Sequence, residues 1–252
     1  MVTKSSVDLE SRRQALNHLL STDGALRIEK LAERFHVSTM TIRRDLQALE
    51  DQGVVRRVRG GAVSGAEPFK ARERRAGAAK EVIARKLSGL VPSGGLGVCM
   101  DASSTISVLA ASLPHSENLS VVTDGVETFL TLNRDSRVHA YLTGGQKDPN
   151  AGSLVGPIAT STLRQFSFAR AFLSAAAIDA RYGTSEFSAE ECEVKKLMAQ
   201  LSDHVVMAVH SKKFETGSAA RCLTWDNIDL LVTELDVADP KLDPYRELVD
   251  LL

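Results

Sequence analysis

Cysteine is scarce in this chain. There are three, Cys99, Cys192 and Cys222, an odd number without a CxxC spacing, which argues against a disulfide framework and against a cysteine-built zinc site. Three buried thiols in a reducing compartment are expected. The six histidines are scattered without HExxH or similar metal spacing, so no metal is expected. Neither GxSxG nor GxxxxGK(S/T) occurs, which removes nucleophile-elbow hydrolysis and P-loop nucleotide hydrolysis, and no catalytic residue or cofactor is assigned. The GGLG run at Gly94 to Gly97 precedes its strand instead of following it, so it is no dinucleotide fingerprint. No apolar run approaches the roughly 18–20 residues needed to span a bilayer, and MVTKSSVDLE lacks the apolar core of a secretory signal. A cytoplasmic protein with no membrane partner is expected.

What is present is an ordinary soluble composition, 43% hydrophobic and 25% charged over 252 residues, long enough for one large domain or two unequal ones. The net charge of -1 hides an asymmetry. Residues 1–85 carry 17 Lys and Arg against 11 Asp and Glu, and the remainder carry 14 against 21. A basic module joined to an acidic body fits that division.

In the basic part, Ala15, Leu16, Leu19 and Leu20 fall at helical spacing, and Ile28, Leu31, Ala32 and Phe35 form a second apolar face. Ser38 is placed to cap a third helix, along which Ile42, Leu46 and Leu49 repeat at i, i+4 and i+7. That inward stripe leaves Thr39, Met40, Arg43, Arg44 and Gln47 on other faces, beside Ser38 and Thr41 at the helix start. Arginine makes bidentate contacts to guanine and glutamine to adenine, and hydroxyls reach phosphates or bases. VVRRVRGGA follows, a strand-like segment carrying Arg56, Arg57 and Arg59 into a Gly-Gly turn, as in a wing lying on the phosphate backbone.

The stretch from Arg13 to Ala62, with Leu31-Ala32, VSTMTIRRDL and LEDQGVVRRVRGGAV, is similar to the DNA-binding domain of DeoR-family bacterial transcriptional regulators. The resemblance implies binding to an operator upstream of sugar-catabolic genes, usually as a repressor.

Ser64 to Arg85 opens with small residues and Pro68 and becomes basic and helix-forming, a hinge leading into a second domain. Beyond it LGVCMD, SVVTD, VHAYLTGG, AFLSAAA, HVVMAVH and IDLLVTE read as strands, alternating with helical segments near Ser104, Gly125, Ile158 and Ala189. The fold expected is α/β: a winged helix-turn-helix over 1–62, a hinge over 63–78, and a Rossmann-like, mostly parallel sensor domain over 79–252. Glu191 and Lys195, at i and i+4, read as a surface ion pair. The tail beyond Glu234 reads as a short closing helix.

Ligands of such sheets bind beyond the carboxyl ends of the strands. Where DASST enters a helix, hydroxyls and unpaired backbone N–H groups make a phosphate cradle, and the Gly-Gly turn and lysines nearby suit an anion. The resemblance extends through this half, in DxxST, VVT, LTGG, GSLVGP, EECEVKK and SKKF, to the family's sensor domain, which is related to ribose-5-phosphate isomerase and binds a sugar phosphate. It implies Asp101, Ser103, Ser104 and Thr105 in the phosphate loop, Gly144 and Gly145 on a neighbouring strand end, Asp179, Lys195 and Lys213 around the polyol, and Lys80 in the response to inducer; Asp124 and His210, at strand ends of their own, join them as candidate effector contacts. Three of these depart from the family pattern: Ser103 stands where glycine is typical, Asp124 where asparagine is, and His210 where an acid is.

The function expected is a repressor of a sugar-catabolic operon, a homo-oligomer (dimer or tetramer) that leaves double-stranded operator DNA when a phosphorylated sugar binds. An activator of the same architecture and a sugar-phosphate isomerase with a DNA-binding domain are the alternatives.

Overall fold

The computed structural model describes residues 11–13, 15–16, 19, 25–51, 55–58, 60–64, 69–74, 76–92, 95–113, 118–148, 152–218 and 220–252. The chain forms two compact units, Met1–Glu67 and Pro68–Leu252.

In the first unit, strand β1 (Ala25–Arg27) leads into helix α1 (Ile28–Phe35), which ends at His36 in the left-handed conformation. Helix α2 (Thr39–Asp51) starts on a side-chain cap, because the Thr41 amide donates to Ser38 Oγ at 3.1 Å. Such a cap contributes about 1 kcal/mol. Strands β2 (Val55–Val58) and β3 (Gly61–Ser64) pair antiparallel, and β1 joins β3 on its other side. Gly61 is required here, since a Cβ would lie 2.0 Å from the Leu26 carbonyl oxygen. Leu16, Leu31, Ile42, Leu46, Leu49 and Val55 meet in one buried cluster. Each such side chain contributes about 1.5–3 kcal/mol by leaving water.

The second unit opens with helices α3 (Phe69–Arg74) and α4 (Gly77–Ser88). The segment expected as a hinge thus holds the last two residues of β3, helix α3 and the first two residues of α4. Seven strands then form one parallel sheet in the order β15-β14-β12-β9-β4-β5-β6. They are β4 (Gly97–Met100), β5 (Leu119–Thr123), β6 (Val138–Leu142), β9 (Arg170–Leu173), β12 (Val205–Ala208), β14 (Leu230–Val232) and β15 (Asp250–Leu251).

Successive residues point to opposite faces. Cys99, Leu173 and Met207 enter one core with Leu163, Met198 and Tyr245. Met100, Phe172 and Val206 enter the other with Ile83, Leu87, Ile106 and Leu109. Burial on both faces is why these strands read as apolar runs. Helices α4 and α5 (Ser104–Ala111) cover one face, and α7 (Pro157–Leu163) and α8 (Ala189–Gln200) the other. Helix α6 (Val126–Leu132) follows β5, and hairpin β7 (Gln146–Lys147) with β8 (Leu154–Val155) lies beyond β6. Strands β10 (Ala177–Asp179), β11 (Gly183–Glu186) and β13 (Ala220–Arg221) make a small antiparallel sheet.

All six expected strands lie in the seven-stranded sheet. The seventh, β15, corrects the reading of the tail as a closing helix: a 3-10 turn at Pro240–Tyr245 precedes a strand paired with β14. Two residues are too few to show a period. The three cysteines are buried free thiols, as expected.

Candidate functional site

Helix α2 is anchored from below. Ile42 and Leu46 are fully buried, and Asp45, also buried, accepts from Arg12 Nε at 2.6 Å with Arg13 Nε at 3.5 Å. Ser38, Thr39, Met40, Arg43 and Arg44 are exposed on the same helix and its cap, and Thr41 and Gln47 are half-buried. Met40 is 55% exposed, a large apolar side chain offered to solvent. In the wing, Arg57 is tied back to α2: its amide and Nε donate to the Glu50 carboxylate at 2.8 and 2.9 Å. Arg59 and the Arg56 side chain lie outside the described residues.

In the second unit, polar groups gather at the carboxyl ends of β4, β5 and β9. Asp101, just past β4, is buried and organises the loops around it. Its Oδ1 accepts the Ser103 amide at 3.0 Å, and its Oδ2 accepts the Ser174 amide at 2.7 Å. Ser103 has φ -74° and caps α5 through the Ile106 amide at 3.2 Å. A side chain at this position is therefore accommodated without a left-handed backbone, and it caps α5. Ser104 Oγ accepts from Lys80 Nζ at 2.9 Å, and the same ammonium donates to the Arg72 carbonyl. Lys213 Nζ donates to the Ala175 carbonyl at 2.5 Å. Burial pushes the Lys213 ammonium down to about 8; Glu186 opposes the shift, and Lys195 and Arg72 add to it.

Lys195 is the centre of the acidic side. Its Nζ lies 2.6 Å from Glu186, 3.1 Å from Asp101 and 3.8 Å from Glu191, and it donates to the Ser174 carbonyl at 2.7 Å. Burial alone would lower its pKa, but Glu186, Asp101 and Glu191 together hold it well above the usual lysine range. The acids outnumber their counter-charge. Burial pushes Glu186 up to about 7 against the pull of Lys195, and Glu191 up to about 8 with Glu186 adding to the rise. Asp124 is fully buried, neither carboxyl oxygen has a hydrogen-bond partner among the described residues, and burial with the Asp101 charge raises it well above the carboxylate range.

Thr105 Oγ1, Ser153 Oγ, Ser174 Oγ and Glu191 Oε2 are likewise buried without a described partner. Ser153 sits opposite Gly125, and the Leu154 amide donates to the Asp124 carbonyl at 2.8 Å. Gly144 and Gly145 have φ +71° and +119°, and a Cβ on Gly145 would lie 2.6 Å from the Val155 carbonyl oxygen.

Two matches cover nearly all of the described chain. Residues 12–67 match the DeoR-like helix-turn-helix domain and residues 75–235 the DeoR C terminal sensor domain. The HTH-type transcriptional regulator GolR of Listeria innocua is 32% identical over 228 residues, covering 88% of this chain and 89% of GolR. The chain belongs to the DeoR family.

It is similar, too, to the transcriptional repressor AccR of Agrobacterium fabrum, at 30% identity over 93% of this chain and 92% of that one. The glycerol-3-phosphate regulon repressor of Escherichia coli is 28% identical, over 95% of each chain. Ribose 5-phosphate isomerase A of Neisseria gonorrhoeae aligns with 54% of this chain and 52% of its own at 15% identity and a TM-score of 0.38, too distant a likeness to bear on the site. The winged helix-turn-helix and the α/β sensor thus make this DeoR-family protein a DNA-binding transcriptional regulator.

The sensor brings together most of the residues expected in it. Asp101, Ser103, Ser104, Lys80 and Lys195 form one bonded network, with Lys213 reaching the carbonyl beside Ser174. Asp179 is not joined to them: its Oδ1 accepts the Arg181 and Tyr182 amides at 2.9 and 3.1 Å, closing the turn between β10 and β11. His210 is buried and precedes the 3-10 turn that carries Lys213, whose amide donates to the His210 carbonyl at 3.0 Å. Glu191 and Lys195 correct the surface-pair reading, since both are buried. Glu186, Ser174, Ser153 and Arg72 were missed by sequence reasoning. Glu186 lies in a polar strand with no readable period, and Arg72 enters through its carbonyl and its charge beside Lys213.

No helix among the described residues is long and apolar enough to cross a membrane, and no group of three or more potential metal ligands occurs among them.

Proposed function

We propose that this protein represses a carbohydrate-catabolic operon and leaves its operator when a phosphorylated sugar occupies the strand-end site of the sensor. The observation that carries the sensing half is the set of buried polar atoms that have no partner among the described residues, Thr105, Asp124 and Ser174 at the carboxyl ends of β4, β5 and β9, with Ser153 and Glu191. Each costs about 1–3 kcal/mol until a ligand or water satisfies it. Lys80, Lys213 and the start of α5 with Ser103, Ser104 and Thr105 would hold the phosphate, and Gly144 and Gly145 would let backbone approach it. Lys195, held by Asp101, would present the acids that meet the polyol, and His210 would position the turn bearing Lys213. Asp179 stays in the proposal only as the residue that fixes the β10–β11 turn.

Ser38, Thr39, Met40, Thr41, Arg43, Arg44 and Gln47 would read the major groove from α2, and Arg56, Arg57 and Arg59 would follow the phosphate backbone from the wing. The division of labour is 1–62 for operator binding, 63–78 for the hinge and 79–252 for sensing. A homo-oligomer in the cytoplasm, acting by binding and not by turnover, fits relatives that are named as regulators and repressors. A ligand shifts the operator equilibrium only by its differential affinity for the two states. Fluorescence anisotropy with the gene's own upstream DNA tests the reading: binding much tighter than to random DNA, reversed by a sugar phosphate, is expected, and equal affinity for both DNAs overturns it.

A further inference from the structure

We propose that the effector carries a protonated amino group seated against Asp124 and Glu191, so that the ligand class is an amino sugar phosphate and not a plain sugar phosphate. The inference rests on the reading of the strand-end site as the effector pocket. Its geometric basis is three acceptor atoms, Asp124 Oδ1, Asp124 Oδ2 and Glu191 Oε2, all buried and none with a hydrogen-bond partner among the described residues. An ammonium has three N–H donors and no acceptor, which matches that demand; a hydroxyl has one donor.

Charge points the same way. Asp101 from the end of β4, Glu186 from β11, and Glu191 and Lys195 from α8 surround this place, and Asp148 from the β7–β8 hairpin adds to the field at Glu191. Lys195 is the cation here, and its ammonium is committed to Asp101, Glu186 and the Ser174 carbonyl, with Glu191 more distant at 3.8 Å. Asp124 has no ion pair among the described residues. Burial, and after it the Asp101 charge, raises its carboxyl well above the usual carboxylate range. A ligand ammonium lets that carboxyl ionise and converts two buried acids from a cost into hydrogen-bonded counter-charges.

Lys80 on Ser104 lies beyond β4 and Lys213 on Ala175 beyond β9, the strands next to β5, beyond which Asp124 lies. Lys80 and Lys213 could hold a phosphate beside the acids, so the cluster offers both charges that a zwitterion needs.

Isothermal titration of the full chain at neutral pH with glucosamine 6-phosphate, glucose 6-phosphate, galactosamine 6-phosphate and galactose 6-phosphate tests this. At least one amino sugar phosphate is expected to bind ten or more times tighter than its hydroxyl counterpart. Asp124→Asn should bring that ratio close to one, and Glu191→Gln should lower it several-fold. Equal binding of each pair by the wild type, or a ratio that survives in Asp124→Asn with its thermal unfolding intact, overturns the proposal. Binding and operator release by the hydroxyl compounds alone would also overturn it while leaving the sensor reading standing. Binding of none of the four, with operator complexes indifferent to them, would overturn both.

Discussion

Asp45 and Arg12, 33 residues apart in sequence, are joined at 2.6 Å, and this bond holds helix α2 to the helical residues 11–13. The carboxylate is 1% exposed and the guanidinium 12%. Removing one partner of a buried pair leaves the other charge without compensation, at a cost of about 3–5 kcal/mol in fully buried cases. Asp45→Ala is expected to destabilise the first unit by about 3 kcal/mol. Hydrogen exchange should then speed up across residues 25–64 and stay unchanged in the seven-stranded sheet. Unaltered exchange in the first unit would contradict the anchoring role.

Arg43 is exposed on the same helix, one turn from the capped start. Losing a specific arginine contact costs about 1–3 kcal/mol and relaxes sequence choice at one base pair. Arg43→Ala should therefore weaken operator binding by that amount in anisotropy titrations, with sugar-phosphate binding unaffected. Operator affinity equal to the wild type would remove Arg43 from the interface.

The DNA-binding unit and the sheet were legible because their signals are local. Ser38 lies three residues from the amide that it caps, and Ile42, Leu46 and Leu49 repeat within one helix. Strands such as VVMA, buried on both faces, show as apolar runs. The interior of the sensor was legible only in part. Asp101 meets Lys195 from 94 positions away, and Glu186 joins them from a strand whose residues Gly183–Glu186 are polar yet all buried. No period announces such a contact. The i, i+4 spacing of Glu191 and Lys195 was readable, but spacing says which residues share a helix face and not whether that face meets water. Asp179 shows the converse, a strand-end acid whose carboxylate is used by its own turn.

Replacing Lys213 tests the proposed effector site apart from DNA binding. Its ammonium reaches the Ala175 carbonyl at the end of β9, beside the loop that Asp101 organises. A charge-assisted bond to a phosphate exceeds a neutral one, typically about 1.5–3 kcal/mol, so its loss weakens effector binding about tenfold or more. Lys213→Ala should bind the operator as the wild type does and require at least ten times more of the sugar phosphate for release. Full release at the wild-type concentration would move the phosphate site elsewhere.

The buried acids make the stability of the empty sensor depend on pH, with a definite sign. Glu186 and Glu191 have folded pKa values raised to about 7 and about 8 from 4.5, burial being the largest cause in both, and Asp124 is raised well above 3.8. Between the unfolded and folded values the folded protein holds protons that the unfolded chain has lost, so stability falls as pH rises through that window. Lys195, raised above 10.5, stays charged in both states there and does not offset the fall. Lys213, lowered to about 8, begins to restore stability only above pH 8. Calorimetry of the ligand-free chain is expected to show the sensor melting at a lower temperature at pH 8 than at pH 5.5, the difference amounting to a few kcal/mol. Glu191→Gln, which carries no charge to bury, should flatten the slope and melt higher than the wild type at pH 8. A slope unchanged in that variant would mean that the Glu191 carboxyl is already ionised and paired at neutral pH.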